Sequence, residues 1–172
     1  MMHWLSRSSL FVTLLVLLSA CGWHLRGDIN LPPGMEAVTI HTGQSGQELA
    51  QELRQVLTTA GVTASLESAG NNAWNLDIID ERLQRREVSV SRDITTAEYG
   101  LTLTVQWQLR NASGEVIVPS ESLSTQSVYR QDANNLNGKK REEARLLADM
   151  RRFLAGQILR RVGYAQQHPT AP

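Results

Sequence analysis

Few side chains in this sequence stand where they could do covalent or metal chemistry. Cys21 is the only thiol. Beyond it lie His24, His41 and His168, and no two of them have metal-ligand spacing. No Gly-x-Ser-x-Gly elbow, phosphate loop or dinucleotide fingerprint occurs. The acid pairs Asp80-Glu81 and Glu142-Glu143 lie in charged runs beside arginines, the pattern of a solvated face. The residues give catalysis no support, nor a metal or other cofactor. The expectation is a protein that is not an enzyme.

The cations are more telling. Lys and Arg number 17 and Asp and Glu 17, so no global positive charge draws nucleic acid. Between Gly138 and Arg161, however, Lys139, Lys140, Arg141, Arg145, Arg151, Arg152, Arg160 and Arg161 outnumber Glu142, Glu143 and Asp149. Arg82, Arg85, Arg86 and Arg92 form a second group. Arg160 and Arg161 fit the end of a helix, where cations favour the dipole. Lys139, Lys140 and Arg141 stand instead at a helix start, where positive charge is unfavourable. With the unpaired N–H groups of that end they make a candidate anion site; harmless loop charge is the alternative.

Cys21 needs its own explanation, because a lone thiol cannot form an internal disulfide. It follows Arg7 and an apolar run, Leu10 to Leu18, of about nine residues, against the roughly 20 a membrane-spanning helix requires. The run therefore reads as the apolar region of an export signal over residues 1–20, with small Ser19 and Ala20 at the cut. Leu18-Ser19-Ala20-Cys21 resembles the bacterial lipobox. That resemblance implies an S-diacylglycerol and an N-acyl chain on Cys21 after cleavage, enough for stable anchoring where one chain is not. Lipoproteins kept in the inner membrane often carry Asp after the cysteine; Gly22 here implies the outer membrane, on its periplasmic side. Trp23 suits either a membrane interface or packing on the domain.

The elements that would carry these groups are legible as periodicities. Residues 21–35 read as a tether, with turn residues Gly27, Asp28, Pro32, Pro33 and Gly34. A folded domain is expected over 36–163 and a disordered tail over 164–172. Ala37 to Thr42 alternates as a short strand. Ser45-Gly46-Gln47-Glu48 has the form of a capping box, followed by a helical face of Leu49, Leu53, Val56, Leu57 and Ala60, with Gly61 as the stop. Trp74 to Ser91 is strand-like but changes parity, which calls for a bulge, and its charged part from Asp80 to Glu87 is expected to project beyond the core. Thr96 to Arg110 alternates strictly, with Tyr99, Leu101, Leu103, Val105, Trp107 and Leu109 on one side. Asn111-Ala112-Ser113-Gly114 is a hairpin loop, and Glu115 to Tyr129 returns, with Pro119 marking an edge or a bulge. From Leu136 to Val162 the period is helical, with a stripe of Leu147, Met150, Leu154 and Ile158 widened by Leu146 and Phe153, and Gly163 closes it. The order β-α-β-β-β-α predicts an α/β (α+β) two-layer sandwich: two helices on one face of a four-stranded, mostly antiparallel sheet.

Cys21-Gly22-Trp23-His24-Leu25-Arg26 after a lipobox resembles the start of the LptE family of lipopolysaccharide-assembly lipoproteins. Thr96-Ala97-Glu98-Tyr99 is similar to the family's central motif, and Met150 with Gln157-Ile158-Leu159-Arg160-Arg161 fits its last helix. The resemblance spans nearly the whole chain after Cys21, except the stretch between Gly61 and Trp74. It implies a non-enzymatic outer-membrane lipoprotein that plugs the large β-barrel LptD, helps it assemble, and contacts lipopolysaccharide bound for the cell surface. Family contacts to lipopolysaccharide near the central motif and at the start of the last helix match Arg92 and Lys139; Lys140 and Arg141 join them by proximity alone. The competing expectation is a lipid-anchored periplasmic adaptor of another envelope complex, one that never touches lipopolysaccharide.

Overall fold

A computed structural model describes residues 31–90, 96–132 and 136–167. Seven elements follow one another: β1 (Ala37–Thr42), α1 (Gln47–Thr59), β2 (Thr63–Ser65), β3 (Trp74–Val90), β4 (Thr96–Arg110), β5 (Val116–Asp132) and α2 (Leu136–Gln167). The strands form one sheet in the order β2-β1-β3-β4-β5. Four strands, mostly antiparallel, were expected; the sheet has five and is mixed. β1 pairs in parallel with both β2 and β3, while β3–β4 and β4–β5 are antiparallel. The reason is α1, which carries the chain back across the sheet so that the following strands enter in the direction of β1. β2 escapes a periodicity reading because three residues cannot display one.

The sheet is unequal along its length. β1 ends where Thr42 pairs with Ile78, whereas β3, β4 and β5 run on together to Val90, Ala97 and Asp132. Beyond Asp80 only these three strands remain, but the charged part of β3 does not leave the core as expected, because α2 continues to cover the β4 row from Val105 to Leu101 beside it. The parity change in β3 is a register shift between Ile78 and Asp80. It leaves Ile78 buried and Ile79 exposed, and sets Glu81, Leu83 and Arg85 opposite the buried Val105, Leu103 and Leu101. Pro119 sits where the β4–β5 register slips between Trp107 and Leu109, on the edge strand, so both of its expected roles hold.

Both helices lie on one face. Leu49, Leu53 and Leu57 of α1 and Leu154, Ile158 and Leu159 of α2 are fully buried in one core with the whole β4 row from Leu101 to Leu109. Tyr99 packs only partly against that core, and Phe153, expected on the apolar stripe, is half exposed. The capping box does not form. Gly46, at φ 105, is the N-cap of α1 and no side chain caps the helix. A Cβ at Gly46 would stand 2.9 Å from both Ile78 Cγ2 and Thr42 Oγ1, so the loop passes too close to β3 for any side chain there. Glu48 is drawn to Arg151 instead. The far end of α1 closes as expected: Gly61 is left-handed, its N–H donates to Thr58 O, and Val62 N–H donates to Leu57 O at 3.0 Å. The last helix does not stop at Gly163 but runs to Gln167. A glycine inside a helix costs only about 1 kcal/mol, and beyond it Ala165 packs against the core. Arg160 and Arg161 therefore lie before the last turn, and Arg161 reaches Glu121 at 3.8 Å.

Candidate functional site

The register of the long strands brings both flanks of the 91–95 connection and the start of α2 to one end of the sheet. Val90, the last described residue before the connection holding Arg92, pairs with Ala97, and Thr96 pairs with Asp132. Asp132 in turn stands four residues before Leu136, where α2 begins. The start of α2 is thus at the same sheet end as both flanks of the 91–95 connection. Arg92 itself lies outside the described residues, as does Cys21. Lys139 falls in the first turn of α2, with Lys140 and Arg141 exposed just after it.

Most arginines elsewhere are spent on partners. Arg110 binds Asp77 at 2.9 Å, Arg130 binds Glu98 at 2.7 Å, and Arg82 and Arg152 pair with acids nearby. Among the described residues, Arg54, Arg86, Lys140, Arg141, Arg145 and Arg160 make no ion pair. The cationic surplus is therefore real but smaller than the residue count implies.

Behind the start of α2 sits a cluster that sequence reasoning missed. The Arg85 guanidinium carbon lies over the Tyr99 ring, 4.2 Å from its centre, and 5.5 Å from that of Tyr129. The two tyrosine rings stack with centres 5.8 Å apart. Glu143 accepts from both Arg85 Nη1, at 3.4 Å, and the Tyr129 hydroxyl, at 3.1 Å. Burial, and behind it the bond to Glu143, pushes the Tyr129 phenol up to about 12, so it remains a protonated donor at neutral pH. Glu143 had read as part of a solvated face, but its side chain is only 23% exposed. The sole hint in the sequence is that Tyr99 and Tyr129 fall on the inward parity of their strands.

The second acid pair is corrected in the same way. Glu81 is 8% exposed and binds Arg151, itself 15% exposed, at 2.8 Å; Glu48 of α1 meets the same guanidinium at 2.7 Å. Arg151 also faces the polar groove between the helices, lined by Glu48, Glu52, Arg54 and Gln55. Among the described residues no group of His, Cys, Asp or Glu could hold a metal, and no helix is long and apolar enough to cross a membrane.

Residues 35–162, from just before β1 to within α2, match the family model LptE, described as lipopolysaccharide-assembly. This chain belongs to the LptE family. Among LptE relatives, the LPS-assembly lipoprotein LptE of Photorhabdus laumondii is 33% identical over 146 residues, covering 79% of each chain. That of Pectobacterium atrosepticum is 27% identical over 160 residues, covering 90% of this chain and 83% of its own. In fold the chain is similar to the rare lipoprotein B from Shewanella oneidensis, with a TM-score of 0.64 at 21% identity over 78% of this chain and 99% of that one. It is likewise similar to lipoprotein B from Nitrosomonas europaea, with a TM-score of 0.63 at 23% identity over 86% of this chain and 94% of that one. The role for which the LptE family is named is assembly, not catalysis. The matched span includes Arg92 and Lys139.

Proposed function

We propose that this chain is an outer-membrane lipoprotein, anchored on the periplasmic side through acylated Cys21, that plugs an LptD-type β-barrel, helps it assemble and contacts lipopolysaccharide on its way to the outer leaflet. One observation carries the reading: the LptE match covers the sandwich from its first strand into its last helix, not an isolated motif. The chemistry agrees with it. The sheet face turned away from the helices carries Gln106 bound to Ser120 and Gln108 and Arg110 bound to Asp77, polar groups that suit the polar lumen of a large barrel, among exposed Val116 and Val128. Lys140 and Arg141, beside Lys139, offer charge without ion-pair partners among the described residues, which suits lipid A phosphates.

The test of the partner is capture. Tagged chain pulled from detergent-solubilised outer membranes is expected to bring down one large β-barrel of the LptD type. The Cys21→Ser variant is expected to take up no labelled palmitate. Recovery of the chain with periplasmic or inner-membrane proteins and no barrel would favour an adaptor of another complex.

The lipopolysaccharide contact has its own test. Arg92→Glu with Lys139→Glu is expected to weaken lipopolysaccharide binding by the purified chain about tenfold or more, the loss of two charge-assisted contacts. Arg160→Glu with Arg161→Glu carries the same change in net charge at the other end of α2. Equal weakening by both pairs would mean bulk charge and no site at the β3–β4 end.

A further inference from the structure

We infer that Arg85, Tyr129 and Glu143 form a clasp that positions the cations at the start of α2 for the phosphates of lipopolysaccharide. The inference rests on the lipopolysaccharide reading above and deepens it by naming what holds the contact residues in place.

The need for a clasp follows from how α2 is packed. Among its residues from 140 on, the first buried one is Met150, and only Leu146 and Leu147 before it touch the core. Lys140, Arg141, Glu142, Ala144 and Arg145 are all exposed. Residues 140–145 therefore have almost no apolar anchorage of their own, and a helical segment with so little burial opens readily. Among the described residues, the ties from residues 140–145 to the sheet are those of Glu143, to Arg85 of β3 and to Tyr129 of β5. Glu143 stands one turn after Lys139 and Lys140, so fixing it fixes the backbone that presents them. Arg85 stands within the β3–β4 ladder, opposite Leu101, and Tyr129 stands opposite Tyr99 on β5. One polar cluster thus joins α2 to β3 and to β5, the strands on either side of β4. It also keeps Glu143 engaged with Arg85. A carboxylate released there would compete with phosphate for Lys139 and Lys140, its neighbours at one helical turn.

Glu143→Gln separates positioning from charge, because the two predict opposite signs. Removing a negative charge beside an anion site tightens phosphate binding if electrostatics alone matters. Loss of the clasp lowers the fraction of chain with α2 correctly presented, and the apparent affinity falls by that fraction. The full lipidated chain in detergent is titrated with lipopolysaccharide and with the same material after removal of its lipid A phosphates. Glu143→Gln is expected to weaken binding of the phosphorylated form about fivefold, an intact helix being presented in about a fifth of molecules, and to leave the dephosphorylated form unaffected. Tyr129→Phe, which removes one hydroxyl and no charge, is expected to shift binding the same way with an unchanged fold, and it decides the matter should Glu143→Gln fail to fold. Unchanged or tighter binding in these variants, while Arg92→Glu with Lys139→Glu still weakens it, overturns the clasp alone. If that reversal pair has no effect either, the lipopolysaccharide reading falls with it.

Discussion

Leu103→Asp is expected to abolish cooperative folding, while Thr104→Asp, one residue further along the same strand, leaves the domain folded. Leu103 is fully buried at the middle of β4, flanked by Leu83 and Thr125. Losing a buried leucine costs about 2–5 kcal/mol through transfer and cavity terms. Placing a carboxylate there adds several more, since no cation lies opposite it on either neighbouring strand. Together these reach the roughly 5–15 kcal/mol that holds a typical domain together. Thr104 faces the other way, between Arg82 and Ser124, where a new carboxylate gains a cation across the strand pair. The measurement is thermal unfolding followed by circular dichroism. A Thr104→Asp melt within a few degrees of the parent is the expected result, and equal damage from both substitutions would mean that β4 does not have one buried and one wet face.

Arg151→Met is expected to be the most damaging of the charge removals, at about 3–5 kcal/mol, because it strands a buried carboxylate. Glu81 is 8% exposed, its Oε2 has no hydrogen-bond partner among the described residues, and its other oxygen depends on Arg151. The same guanidinium reaches Glu48, so one side chain of α2 ties together α1, α2 and β3 at the edge of the five-stranded part of the sheet. At about 2–4 °C per kcal/mol for a domain of this size, the melting temperature falls by about 10 °C. Adding Glu81→Met to Arg151→Met is expected to recover most of the loss, since two apolar groups then replace a charge without a partner. Arg152→Met is the internal control. Its side chain is 63% exposed, its ion pairs with Glu52 and Asp149 lie at 3.7 and 3.4 Å, and no more than about 1 kcal/mol is at stake. If Arg151→Met and Arg152→Met melt alike, or the double variant is no better than the single, Glu81 is not held as a desolvated charge.

The properties that could be read from the chain are those each residue carries by its own position in a repeat. Alternation from Tyr99 to Leu109 assigns every side chain in β4 to a face by parity alone, and five of those six are buried. The helical spacing of Leu49, Leu53 and Leu57 works in the same way, as does the left-handed demand that Gly61 meets. The family resemblance was likewise legible, because Thr96-Ala97-Glu98-Tyr99 and the last helix are contiguous stretches of sequence.

Properties created when distant segments meet were decided only by the tertiary structure. Glu81 is inward because β3 slips register between Ile78 and Asp80, and a slip of one residue exchanges the faces of everything after it. Glu142 and Glu143 look alike in sequence; the phase at which α2 docks on β5 exposes one and turns the other toward Tyr129. Ser45 lost the cap to Gly46 because β1 and β3 leave the connecting loop no room for a side chain. The ion pair Arg151–Glu81 joins residues 70 apart and Arg85–Glu143 residues 58 apart, separations at which no local pattern carries information. The candidate site depends on both kinds of information. Lys139, Lys140 and Arg141 were visible as charge in the wrong place on a helix, but their position at the sheet end that carries the 91–95 connection follows from the hairpin register that pairs Thr96 with Asp132. Residue type could mark the cations; only strand pairing, a property of two chain segments at once, could bring the start of α2 to the sheet end where β3 leaves off and β4 begins.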